Sequence, residues 1–272
     1  MLKLLRFVNL DQLNKEHLIH DITAISIERS GRFGNSIRQL SHAYHIAKSI
    51  GVDRIYLPQF WYIKEGELTT PSGILIFNLN QPNFFREKIV LEGVFCDYKT
   101  LAPLSKTTPE HYLNMIDLIG AGAFNFQHSE PLGEQDLVIH IRSGDIFKNN
   151  VHLGYGQPPF SFYAKIIELQ SWHSISLVFE DKSNPIIDPL IDFCRQRCSQ
   201  VQEISSDLKS DIEYLLKARK LVVSNGTFCP AIALISKSLN TVYSFENEFS
   251  IKYNPNISQI VRVVDRQGVY KS

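Results

Sequence analysis

The chain has 272 residues, 44% of them hydrophobic and 21% charged, which excludes a disordered or fibrous chain and allows one large domain or two small ones. Its 28 Lys and Arg residues cancel its 28 Asp and Glu residues, so no whole-molecule field draws it onto nucleic acid or an anionic membrane. An anionic ligand must be held by a local site. No apolar run approaches the roughly 18 residues of a membrane span, and MLKLLRFVNLDQLNKEH is too short and too charged for a signal peptide. The expected compartment is the cytosol, with a place beside a membrane left open.

In chain order, ITAISIE (22–28) predicts a strand, GRFGN a glycine turn, SIRQLSHAYHIAKSIG a helix ending at Gly51, and DRIYLP a second strand. Residues 61–110 are rich in Pro, Gly, Asn and aromatics and read as short strands and loop, with LEGVF (91–95) as a third strand. PEHYLNMIDLIGAGAF (109–124) predicts a helix. The second half is more regular. DLVIHI (136–141) is a strand, followed by the polar turn RSGD, a loop holding Gly154, Gly156, Pro158 and Pro159, and the helix FSFYAKIIELQ. Then come the strand ISLVFE (175–180), the helix PIIDPLIDFCRQRC, the strand VQEI (201–204) and the Ser/Asp-capped helix SDLKSDIEYLLKARK. The strand LVVS (221–224), an apolar helix from Thr227 to Ser238 and the strand TVYSF (241–245) complete the series. Such alternation marks βαβ units and a mostly parallel sheet. The expected partition is α/β, with an amino-terminal Rossmann-like lobe over 1–130 and a carboxyl-terminal one over 131–272.

Ligands of open parallel sheets bind outside the carboxyl ends of the strands, where strand order reverses. The polar residues at those ends are His140, Arg142, Gly144 and Asp145, then Glu180 and Asp181, then Ser224, Asn225 and Thr227. With the strand order 3-2-1-4, Arg142 falls opposite the helix start at Ser224–Asn225. A guanidinium fork beside helix N–H groups is a diphosphate site in physical terms. Taken singly, an Arg after a strand is a surface ion pair, SNGT a helix N-cap, and Glu180–Asp181 a solvated turn. Their shared placement favours a site.

Other candidates are weaker. GRFGN is like a phosphate-cradling loop but is neither G-x-G-x-x-G nor a Walker A loop, so a tight strand-to-helix turn accounts for it. His42 and His45 read as core residues, not metal ligands. No D-x-D is present to seat a divalent ion bridging a diphosphate, and no G-x-S-x-G supports a hydrolase. Cys96, Cys194, Cys198 and Cys229 are too few for a disulfide framework. Cys194 and Cys198 read as two buried thiols on one helical face.

Four segments, in order, resemble the fucosyltransferase superfamily, above all the alpha-1,2-fucosyltransferases of glycosyltransferase family eleven. VIHIRSGD resembles its H-x-R-x-G-D motif, and GRFGNSIRQLSHAYHIAKSIG its amino-terminal G-x-x-G-N-Q segment. FED at 179–181 is similar to its F-S-D-D strand end, and SDIEYLLKARKLVVSNGTF to its block ending S-N-S-[ST]-F. The sequence departs from these patterns at Ser36, Gly226, Cys229 and Pro230.

The resemblance implies GT-B architecture, two lobes with mostly parallel sheets facing a cleft. It implies an inverting glycosyltransferase with no required metal or cofactor, a nucleotide-sugar donor held by the carboxyl-terminal lobe, and a glycan acceptor faced by the loop region of 61–110. Carried over, Arg142 would clamp the diphosphate, with His140, Gly144 and Asp145 shaping that loop and Asp145 a candidate base. Glu180 and Asp181 would contact base or ribose, and Ser224, Asn225 and Thr227 phosphate and sugar oxygens. Gly31, Gly34, Asn35 and Arg38 would approach the diphosphate from the other lobe. GDP-fucose is the lead donor. Transfer of xylose, rhamnose or galactose on the same fold is an alternative, as is a non-catalytic nucleotide- or glycan-binding module.

Overall fold

Short runs of buried aliphatic residues alternate with amphipathic helices along most of the chain, and each half collapses into a sheet covered by those helices. The computed structural model describes residues 6–9, 20–81, 84, 87–96, 111–127, 129–147, 156–245 and 254–263. It divides into two units, Met1–Phe126 and Gln127–Ser272. Gly154, Tyr155 and all of 97–110 lie outside the described residues.

The first unit contains β1 (Arg6–Asn9), β2 (Ala24–Ile27), α1 (Phe33–Ile50), β3 (Arg54–Leu57), β4 (Gly66–Thr69), β5 (Leu75–Asn78), β6 (Ile89–Gly93) and α2 (His111–Gly120). Its six-stranded sheet runs β1-β6-β2-β3-β5-β4, with every pair parallel except β4 and β5. Helix α1 buries Phe33, Ile37, Leu40, Tyr44 and Ala47, the three- and four-residue spacing of a helix face turned to a core. His42 and His45 are buried on it too, and His42 Nδ1 lies 2.7 Å from the carbonyl of Phe95.

Two local features differ from the sequence expectation. The glycine turn is shorter than GRFGN. Arg32 takes the N-cap position with extended dihedrals, and Gly34 and Asn35 belong to the first turn of α1. The reason is Ser36, whose hydroxyl accepts from Gly31 N–H (3.0 Å) and donates to Gly31 C=O (2.9 Å), closing the turn three residues early. Strand β1 was not anticipated. It is an edge strand whose pairing to β6 sets its conformation.

The second unit contains β7 (Asp136–Ile141), α3 (Phe160–Ile167), β8 (Ser174–Phe179), α4 (Ile187–Arg195), β9 (Val201–Ile204), α5 (Leu208–Leu215), β10 (Lys220–Val222), α6 (Phe228–Ile235), β11 (Thr241–Phe245) and β12 (Gln259–Val263). Its sheet runs β12-β11-β10-β7-β8-β9, all parallel. Counted from β7 this is the order 3-2-1-4-5-6, so β7 and β10 flank the switch point, as expected. Strand β12 is an addition to the expected set, short and half-buried at the sheet edge.

The core of this unit packs Ile139, Ile141, Leu177 and Phe179 from the strands against Phe162, Tyr163, Ile166, Ile187, Leu190 and Cys194 from the helices. Cys194 and Cys198 are both buried, and burial pushes the Cys194 thiol up to about 12. Asp207 caps α5 by accepting from the amides of Lys209 (3.0 Å) and Ser210 (3.1 Å), an arrangement legible in SDLKSD.

Helix α1 ends where Gly51 adopts φ 73° and ψ 28° and its N–H donates to the Ala47 carbonyl. A side chain there would meet nothing within 4 Å, so a substitution tests backbone conformation alone. Gly51→Ala is expected to lower unfolding free energy by about 1 kcal/mol, read from the midpoint of urea denaturation at unchanged slope.

Candidate functional site

The β7–β10 register pairs Val222 with Ile139, which brings Ser224 level with the end of β7. His140, Arg142, Glu180, Asp181, Ser224 and Asn225 therefore lie together at the carboxyl edge of one parallel sheet. The sequence-derived residues fall into two groups, those that build the edge and those that present polar groups on it.

His140 and Ser224 belong to the first group. Both are buried, and Ser224 Oγ is hydrogen-bonded to His140 Nδ1 at 2.7 Å. Cys229 Sγ lies 3.2 Å from the same nitrogen, and the Phe228 ring packs over the imidazole at 4.9 Å between centroids. Burial, reinforced by the charge of Arg142, pulls His140 from its ordinary 6.5 down to about 3, so the ring is neutral near pH 7. Burial pushes the Cys229 thiol up to about 12, which makes it inert packing. The Ser224 hydroxyl, read from the sequence as a ligand contact, thus spends one interaction joining β10 to β7.

Asp181 also holds loops together. Its Oδ1 accepts from Gly144 N–H (3.0 Å), Ser183 N–H (2.9 Å) and the Ser183 hydroxyl (2.5 Å). The Ser143 hydroxyl in turn accepts from the amides of Glu180 and Asp181, both at 3.1 Å. Asn184 Nδ2 donates to the Arg142 carbonyl at 3.0 Å. Ser143, Ser183 and Asn184 were not singled out in the sequence, because a serine or asparagine in a turn carries no pattern that separates a latch from a solvated side chain. Gly144 has φ 72°, and a side chain there would collide with the Glu180 carboxylate. The close approach explains why a glycine follows Ser143.

Arg142, Glu180, Asn225 and Asp145 are the groups presented. Arg142 is half-buried, and its Nη1 donates to the Asn225 carbonyl at 3.3 Å. The guanidinium lies over Gly226, where a Cβ would come within 2.5 Å of Nη1 and where φ is 134°. Gly226, a departure from the motif S-N-S-[ST]-F, is therefore the residue that admits Arg142. Asn225 Nδ2 donates to the Gly156 carbonyl at 2.6 Å, tying the segment before α3 to this edge. Thr227 takes the N-cap position of α6 without a side-chain capping bond. The helix begins with Phe228, Cys229 and Pro230, and Pro230 has no N–H, so the first turn brings only two amides to the edge. Asp145 is the second residue of a single 3-10 turn, Gly144–Phe147, which starts two residues after Arg142. Glu180 is exposed.

The candidates of the first unit occupy its own sheet's carboxyl side. Gly31 is held by Ser36, Gly34 is buried in the first turn of α1, Asn35 is exposed and Arg38 is half-buried. Burial raises the Cys96 thiol, and the nearby charges of Arg38 and Arg29 act against it.

Comparison with protein-family profiles and with curated proteins returns no match. Among solved structures the chain is similar to POFUT1 in complex with GDP, at 11% identity and TM-score 0.46 over 83% of this chain and 98% of that one. It is similar to the E. coli heptosyltransferase WaaC with ADP, at 9% identity and TM-score 0.45 over 88% and 92%. It is also similar to Arabidopsis thaliana FUT1 mutant R284K with GDP, at 8% identity and TM-score 0.45 over 89% and 74%. At this degree of likeness the comparison assigns neither family nor activity.

The neutral, buried His140 sets a pH dependence. Its folded value lies below its unfolded one, so its contribution to stability is present above the unfolded value near 6.5 and is lost as pH falls toward about 3. Between wild type and His140→Gln, the gap in unfolding free energy should therefore narrow by about 1.4 kcal/mol per pH unit below pH 6. Urea titrations at pH 7, 5.5 and 4.5 measure it, and a gap independent of pH would contradict a neutral imidazole.

Proposed function

We propose that this chain is a metal-independent, inverting glycosyltransferase that moves a sugar from a nucleoside diphosphate donor to a glycan hydroxyl, with GDP-fucose as the lead donor. The observation that supports it most is Arg142 laid over Gly226 beside the start of α6, at the switch point of a 3-2-1-4-5-6 parallel sheet. That is where a fixed cation and helix amides attract the oxygens of a diphosphate. The fold alone would suit many activities, so the reading rests on this site and on the four motif segments. The neighbours bound to GDP and ADP are consistent with it without adding weight.

In this reading the acceptor oxygen forms its bond to the anomeric carbon as the carbon–phosphate oxygen bond breaks, and the electron pair leaves with the diphosphate. Arg142 and the first-turn amides of α6 hold those phosphate oxygens and stabilise the charge that grows on them. Asp145, three residues after Arg142, is assigned the acceptor's proton, and exposed Glu180 the base or ribose of the nucleotide. His140, Ser224 and Asp181 are positioning residues. They fix the loops from which the other groups act.

Thermal shift with GDP, UDP, ADP and their sugar conjugates identifies the donor, since a ligand of the folded state raises apparent stability. With that donor, Arg142→Lys is expected to lower both affinity and kcat, because the charge survives while the two-pronged geometry does not. Arg142→Ala should lower kcat/KM by about a hundredfold or more at an unchanged melting temperature. Wild-type kcat/KM in Arg142→Ala would remove the central residue of the mechanism. Transfer is also expected to persist in EDTA, and activity abolished by the chelator and restored by Mg²⁺ or Mn²⁺ would overturn the metal-free reading.

A further inference from the structure

The chain has two tryptophans. Trp172 is 7% exposed in the core of the second unit, whereas Trp61 is 45% exposed in the loop after β3, between Phe60 and Tyr62, which are both buried. An apolar residue exposed singly is ordinary in itself, so what sets Trp61 apart is how the loop holds it.

This loop is built to hold its shape. Buried Asn78, the last residue of β5, accepts from Phe60 N–H (2.7 Å) and donates to the carbonyls of Phe60 (2.9 Å), Ile63 (2.8 Å) and Lys64 (3.3 Å). Gln59 sits at φ 46°, which is uncommon for a residue other than glycine. Asn125 N–H donates to the Tyr62 carbonyl at 2.9 Å, and Lys64 N–H to the Ala123 carbonyl at 2.8 Å.

The indole makes edge contacts with Tyr62 (5.5 Å between centroids) and Phe126 (6.2 Å). Both rings pack on Phe33, the first residue of α1, at 5.2 and 6.0 Å. Trp61 is thereby anchored to the start of α1 at the carboxyl edge of the first unit's sheet, the edge at which parallel sheets take ligands. Among the exposed residues next to this anchorage in the chain, Gln59, Asn125 and Gln127 carry amides, and Arg32 and Lys64 carry charges.

A fixed aromatic ring with amide side chains adjoining suits a pyranose, whose C–H face packs on the ring while its hydroxyls bond to amides. One ring is too small a surface for a stable protein interface. We propose that Trp61 is the stacking platform of a saccharide subsite, with the amides of Gln59 and Asn125 beside it, for one pyranose ring of a neutral oligosaccharide. The proposal rests on the reading above only in taking that saccharide to be the acceptor.

The Trp172→Phe variant leaves Trp61 as the sole indole emitter. Lactose, N-acetyllactosamine and cellobiose titrated into it without donor should give, for at least one of them, a saturable change in emission. If Trp172→Phe does not fold, the difference between wild-type and Trp61→Ala spectra reads the same signal. Trp61→Ala should lose binding of that disaccharide in ligand-observed saturation-transfer NMR while nucleotide stabilisation stays unchanged. In transfer, Trp61→Ala should raise the acceptor KM about tenfold with the donor KM unchanged, and Trp61→Phe should recover part of the loss. Emission unmoved by all three disaccharides, or an unaltered acceptor KM in Trp61→Ala, overturns the subsite. If no donor is turned over but a disaccharide still moves the emission of Trp61, the subsite stands and the transferase reading falls.

Discussion

Arg142 rests on the backbone of residues 225 and 226, and the placement of its charge at the carboxyl edge of the second sheet depends on that contact. A guanidinium is large, planar and permanently charged, and holding it half-buried requires a surface with no side chain in the way. Gly226 supplies that surface, and its φ of 134° turns the chain into α6 at the same step. One residue thus serves a steric and a conformational requirement together. The charge also reaches inward, adding to the burial that keeps His140 neutral.

Beneath the guanidinium the two central strands are joined by side chains as well as by their backbone ladder. His140 at the end of β7 and Ser224 just beyond β10 are hydrogen-bonded, with Cys229 of α6 against the same ring nitrogen. Neutrality is what makes the arrangement affordable, because a charged imidazole there would lack solvent and face a cation. Specificity of register follows. A slip of one residue between β7 and β10 would turn His140 away from Ser224 and leave both polar groups buried without each other.

Much of this was legible in the chain. DLVIHI, ISLVFE and TVYSF are runs of buried aliphatic and aromatic residues bounded by polar turns, and each became a strand within a residue or so of its expected ends. RSGD and SNGT marked the carboxyl edge of the sheet because charged and capping residues abruptly follow apolar ones. Less was legible where tertiary contact overrides local pattern. GRFGN reads as one turn until the Ser36 hydroxyl is seen closing it early. QIVRV forms β12 only because β11 offers it an unpaired edge. Nothing in Phe60–Trp61–Tyr62 says which ring faces water, since that is decided by Asn78, well along the chain.

The latch formed by Ser143 links the loops after β7 and β8 through the amides of Glu180 and Asp181, and Asp181 returns the link to Gly144. Such loops lose their conformational freedom when the chain folds, not when a ligand arrives. A ligand at this edge then meets donors and acceptors already in place, and little of its intrinsic affinity is consumed in ordering them. The entropic signature of recognition here should resemble docking onto a crystal face more than the freezing of a mobile loop, with folding having absorbed the disorder in advance.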